Sequence, residues 1–161
     1  MKGTQSMIKK MLNEAQRKDF DLGEHQASIS KLRKNMPGLV IEEASREVAV
    51  DILRKYEGFE GVERGPKFRG TPFDFFGYKD SSAYIIEMKA SLEYFQLPGE
   101  TQKRRISELL EELPDLKVAI LQLALSKKKY RILYHEQVER LLRHDRQPPI
   151  APIAEWLKER L

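Results

Sequence analysis

The chain has no cysteine. That removes disulfides, thiolate metal sites and thiol nucleophiles together, and leaves oxygen and imidazole as the strong ligands on offer. No segment approaches the unbroken apolar run of roughly 20 residues that a membrane-spanning helix needs. The basic N-terminus, MKGTQSMIKKML, lacks the apolar stretch and small-residue cleavage site of an export signal, so a cytoplasmic protein is expected. Histidine is scarce. His25, His135 and His144 lie at no metal-ligand spacing, and surface or partly packed imidazoles are expected of all three. Net charge is small as well: residues 1–35 hold eight Lys/Arg against four acids and so carry the whole formal charge of +4, while residues 36–161 sum to zero. A basic arm ahead of a neutral body suits attraction to phosphate, although basic termini are also common as solvated tails.

What the chain does have is one domain's worth of globular sequence. With 161 residues, 40% apolar and 34% charged, it has the length for a single core and the charge for a polar surface. Residues 1–35 show weak helical periodicity at Met7, Met11, Leu12, Ile29 and Leu32, interrupted at Asp21-Leu22-Gly23, and are expected to be part helix and part flexible arm. Met36-Pro37-Gly38 punctuates the chain. The following domain, residues 36–161, opens with a helix over 39–56 whose apolar face reads Val40, Ala44, Val48, Ile52 and Leu53, ended by Gly58.

Phe59 to Glu63 alternates as a strand, and RGPKFRG is a basic loop. Two strand-like runs, Pro72 to Tyr78 and Ala83 to Lys89, are separated by the polar turn Lys79-Asp80-Ser81-Ser82, short enough for a hairpin. A helix follows over ETQKRRISELLEEL, then the apolar run Val118 to Leu125, which reads as a strand buried on both faces. Tyr130 to Tyr134 is a further strand. Glu136 to Leu142 and Pro152 to Leu161 are helices, the last with an apolar face of Ile153, Trp156 and Leu157 that completes the core or pairs with a second copy. The order is α-β-β-β-α-β-β-α-α, an α/β chain with a mixed sheet covered by helices.

The chemistry concentrates in PFDFFGYKDSSAYIIEMKA. Side chains alternate across a strand, so Glu87 and Lys89 share one face of Ile85-Ile86-Glu87-Met88-Lys89 while Ile86 and Met88 take the other. Charge in an apolar strand is costly unless paired or serving a metal. The hairpin brings the strand of Asp74 alongside. Two carboxylates and a lysine can hold a hard divalent cation through oxygen, leave room for water and phosphate, and set positive charge against a transition state rich in negative charge. A strand-surface ion pair and a solvated turn acid are the plain alternative. Most of Phe73, Phe75, Phe76 and Tyr78 are expected to pack into the sheet rather than stack on bases, and Lys127-Lys128-Lys129 to be a solvated turn. Lys103-Arg104-Arg105 at a helix start opposes the helix dipole, which favours a phosphate contact.

Residues 39–135, with Asp on one hairpin strand and Glu-x-Lys on the next, resemble the PD-(D/E)XK nuclease superfamily, whose fold is restriction endonuclease-like. Within it, the stretch SREVAVDILRKYEGFEGVERGPKFRGTPFDFFGYKDSSAYIIEMKAS looks most like the archaeal Holliday-junction resolvases. The resemblance implies a Mg²⁺- or Mn²⁺-dependent endonuclease acting on DNA, with a role in repair, recombination or restriction and with a homodimer as in the resolvases. It implies Asp74, Glu87 and the Met88 carbonyl as metal ligands, and Lys89 as the group that positions water and stabilises negative charge. Glu47, by its distance from Gly58-Phe59, would bind a second metal or its water, with Glu43 one turn earlier as the fallback. Gln102 would brace the site. Arg64, Lys67 and Arg69 would face phosphate, as would Lys103 and Arg104. The chain departs from the family in Pro72-Phe73-Asp74, one residue longer than Pro-Asp. It departs again in the acidic Ile41-Glu42-Glu43-Ala44 where resolvases are basic, and in lacking their lysine-rich run after Lys89. A nuclease-fold module that binds nucleic acid or a partner protein without cutting is the alternative function.

Overall fold

The computed structural model describes residues 17–68, 70–142 and 151–161. The expected periodicity at Met7, Met11 and Leu12 and the positions of Arg69 and His144 lie outside the described residues. The described residues form an α/β fold built on a mixed six-stranded sheet with helices on its faces. Its strands are β1 (Arg17–Asp19), β2 (Glu60–Arg64), β3 (Phe75–Lys79), β4 (Ser82–Ser91), β5 (Leu116–Ala124) and β6 (Lys129–Leu133). Their spatial order is β1-β6-β5-β4-β3-β2. Only the central β4–β5 pair is parallel. A parallel pair needs a crossover, and α3 (Glu100–Glu112) supplies it. The other helices are α1 (Gln26–Ser30), α2 (Gly38–Asp51), α4 (His135–Glu139) and α5 (Ala151–Lys158).

The β3–β4 hairpin turns through Asp80 and Ser81, both at positive φ (50° and 65°), with Lys79 paired to Ser82. Two left-handed residues make the turn whose twist matches antiparallel strands, and Asp is among the residues that tolerate it. Strand alternation then sorts the core into two layers. Ile86 and Met88 of β4, with Ala119, Leu121 and Leu123 of β5, pack on one face beneath Ile41, Val48, Ala49, Ile52 and Leu53. Ile85, Val118 and Ile120 point the other way, against Ile106 and Leu109 of α3 and against Val138, Ile153 and Leu157 of the last helices. Phe73, Phe75 and Phe76 are buried as expected, and Trp156 meets Phe76 edge-on at 5.7 Å. The apolar face of α5 is therefore taken up by the chain's own core.

Two readings change. Residues 17–32, read as the end of a basic arm, supply the edge strand β1 and the buried side chains Phe20, Leu22 and Ile29. A three-residue strand is too short to show alternation, so nothing in the sequence marks it. On α2 the buried face is Ile41, Ser45, Val48 and Ala49, continued by Ile52, whereas Val40 is 47% exposed. The helix is rotated from the face that Val40 and Ala44 suggested, because small Ser45 and Ala49 sit against the sheet. Ser45 satisfies its hydroxyl within the helix by donating to the Ile41 carbonyl at 2.6 Å. A single π turn, Ile52–Tyr56, follows directly and brings Glu57 into the interior.

Candidate active site

The β3–β4 pairing stops at Phe75, and the next residue toward the N-terminus is Asp74. Its amide donates to the Ile86 carbonyl at 2.9 Å, while its side chain turns to the strand and accepts the Met88 amide hydrogen at Oδ2, 2.8 Å away. In an extended strand a residue's N–H and C=O face the same edge, so the Met88 carbonyl also faces the edge where β3 has ended. Glu87 continues the row of Ile85 on the α3 face. It is only 3% exposed and lies close enough to Asp74 for a hydrogen bond between the two carboxyl groups. Burial, first, and the neighbouring Asp74 charge, second, push its carboxyl well above the usual glutamate range; Lys89 and a hydrogen bond from Gln102 of α3 pull the other way.

Lys89 stands two residues on, its Nζ 3.9 Å from Glu87 and 3.7 Å from Glu42 Oε1. Glu42 reaches the centre from α2. Burial, opposed by Lys89 and reinforced by Asp74, raises its carboxyl. The centre thus gathers Glu42, Asp74, Glu87, Lys89 and Gln102. Arg46, one turn beyond Glu42, places Nη1 2.6 Å from Asp74 Oδ1 and donates through Nε to Glu43 at 2.8 Å.

Of the acids expected from α2, neither Glu47 nor Glu43 faces this centre. Glu47 is 88% exposed at its side chain and lies toward His25, 3.9 Å from Nδ1. Glu43 is held by Arg46 and Arg64 outside the cluster. The reason is helix phase: Glu47 lies five residues from Glu42, about 140° around a helix of 3.6 residues per turn. The rotated buried face selects Glu42. The signal that could have found it is the spacing of Ile41, Ser45, Val48 and Ile52, which places position 42 at the margin of the buried stripe.

The basic residues divide. Arg64 pairs with Glu43 at 3.5 Å, and Lys67 is exposed in its loop. Lys103 pairs with Glu100 at 2.7 Å, which removes most of the conflict with the helix dipole. Arg104 is half-buried with Nε shielded and without a hydrogen-bond partner, and Arg105 donates to the Gly70 carbonyl at 2.8 Å. This end of α3 is fastened to the loop before β3 rather than projecting freely.

His25 is partly packed, as expected. It is buried to 14% side-chain exposure and its Nε2 lies 2.8 Å from Asp51 and 3.8 Å from Glu24. These carboxylates are 26 and one residues away in sequence, a spacing no short motif encodes. His135 is used locally, with Nδ1 accepting the Val118 amide hydrogen and Nε2 3.0 Å from Glu139.

Among the described residues no helix is long and apolar enough to cross a membrane. No protein-family model matches this chain, and no curated protein matches it.

Proposed function

We propose that this protein is a divalent-metal-dependent endonuclease of the restriction endonuclease-like fold, hydrolysing phosphodiester bonds in DNA. One observation carries the reading: Asp74, Glu87 and Lys89 converge with Glu42 where the β3–β4 pairing ends. Burying Glu87 beside Asp74 is unfavourable for both ionised carboxylates, and a bound cation would relieve it. The donors are all oxygen, which fits Mg²⁺ or Mn²⁺. Asp74, Glu87 and the Met88 carbonyl would hold the ion, with Glu42 in the place first expected of Glu47, on a second ion or its water. When bound, the cation supplies Lewis-acid charge and acidifies coordinated water.

The chain's own groups do the rest. The Met88 amide fixes one oxygen of Asp74, so this ligand is held before substrate arrives, and Gln102 of α3 stands beside Glu87. Lys89, its ammonium 3.7 Å from Glu42 and 3.9 Å from Glu87, would orient the attacking water and face negative charge accumulating on the phosphate. Arg64 at the end of β2 and Lys67 in the loop that follows provide positive charge for the flanking backbone.

Purified protein incubated with plasmid, single-stranded and branched DNA in Mg²⁺ or Mn²⁺ should cut at least one of them, and EDTA should stop it. Absence of cutting on all three, or a Lys89→Ala variant as active as the parent, removes the assignment. The Arg46–Asp74 ion pair favours a second reading, a nuclease-fold module that binds nucleic acid without cutting, because an internal cation already neutralises part of the centre. Salt-sensitive DNA binding without metal uptake at Asp74 and Glu87 would select it.

A further inference from the structure

We propose that His25, Asp51 and Glu24 form a second cation site, suited to Zn²⁺, in which the ion fastens the segment before α1 to helix α2. The donor atoms of His25, Asp51 and Glu24 lie within 4.8 Å of one another. A four-coordinate zinc ion with bonds of about 2.0–2.1 Å keeps its ligand atoms about 3.3 Å apart. The separations from His25 Nε2, 2.8 Å to Asp51 and 3.8 Å to Glu24, bracket that value, so small side-chain rotations close the set.

The imidazole makes this more than an acidic patch. Nε2 lies 2.8 Å from Asp51 Oδ2 and donates its hydrogen there in the metal-free chain; a cation would take the place of that hydrogen between the same two groups. An imidazole ligand shifts preference from Mg²⁺ toward Zn²⁺, which separates this site from the all-oxygen centre at Asp74 and Glu87. The same residues line an open cavity of about 290 Å³, with Arg46 and Arg64 on its wall. Three protein ligands and an open approach leave a position for water or an anion. Two of the ligand-bearing positions, Glu24 and His25, precede α1, and Asp51 ends α2, so an ion would join segments that are distant in sequence.

The site stands independently of the nuclease reading. The full chain is stripped with EDTA and studied in an Asp74→Asn background, so that the other centre contributes little, with Mg²⁺ in excess. Calorimetric titration with Zn²⁺ should give one ion per chain. His25→Ala should weaken affinity by at least about 100-fold, the upper end of what loss of an outer-shell partner costs. Co²⁺ in place of Zn²⁺ should give the visible absorption of a low-coordinate site, lost in His25→Ala, and the His25 Nε2 resonance should shift on Zn²⁺ addition. If His25→Ala does not fold, Asp51→Asn, which keeps the shape, should show the same loss. No Zn²⁺ uptake, unchanged affinity in the variants, or an unshifted Nε2 signal would leave a histidine–aspartate hydrogen bond only and overturn the proposal.

Discussion

Asp74 Oδ2 accepts the Met88 amide hydrogen at 2.8 Å, so a side chain proposed for metal binding also completes the hydrogen bonding of β4 where β3 stops. Structure and site chemistry share one carboxylate. Asp74→Ala leaves a buried amide unpaired and deprives Arg46 of one of its two carboxylate partners. The metal-free variant should lose about 1–3 kcal/mol of stability, read by urea unfolding in EDTA. An unchanged unfolding midpoint would show that Met88 finds another acceptor.

Glu87 predicts the opposite sign. Its carboxyl is raised above the ordinary glutamate value of 4.5, so above that pH the folded protein holds a proton that the unfolded chain has released. Stability of the metal-free protein should therefore fall as pH rises from about 4.5 through the folded-state value, and Glu42 adds in the same direction. Glu57 is lowered, and its contribution is lost in a separate window, as pH falls below 4.5. Glu87→Gln should flatten the upper slope and raise the melting temperature in EDTA at neutral pH. Thermal scans across pH, with and without Mg²⁺, measure this; a slope that survives the substitution assigns it to another group.

Catalysis should separate Glu42 from Glu43. Lys89→Ala is expected to reduce cleavage by about 10²–10³-fold, the scale of removing one group aimed at transition-state charge. Glu42→Gln should reduce it about tenfold more than Glu43→Gln does, as expected of a group on the site's inner face. Single-turnover rates on a labelled substrate provide the comparison, and equal losses for the two glutamates would place the helix in another phase.

Away from this centre, Glu57 accepts hydrogen bonds from Lys18 at 2.7 Å, from Tyr134 at 2.6 Å and from Tyr130. Lys79 lies 3.8 Å away and over the Tyr134 ring. Burial and the bonds to Glu57 raise both phenols, which remain protonated donors at neutral pH. Tyr130→Phe should destabilise by about 1–2 kcal/mol in denaturant unfolding, since one oxygen of a buried carboxylate loses a donor. No loss would mean that Lys18 alone satisfies it.

By itself the sequence determined the elements and their chemistry. Alternation placed Glu87 and Lys89 on one face of a strand, the polar turn made the hairpin that brings Asp74 beside them, and the apolar run 118–125 foretold the central strand. These are local signals, since a period of two and a short turn leave few alternatives. The tertiary structure decided what depends on partners distant in sequence. Small Ser45 and Ala49 pack against the sheet and turn α2 so that Glu42, not Glu47, faces Lys89. Edge pairing with β6 makes residues 17–19 a strand. Helix α2 and the turn before α1 bring His25 to Asp51 across 26 residues, so a histidine with no motif around it acquires carboxylate neighbours. Helix phase is only weakly marked in the sequence, by the spacing of Ile41, Ser45, Val48 and Ile52, and long-range pairing is set by how surfaces fit once the sheet is assembled, which no window of neighbouring residues contains.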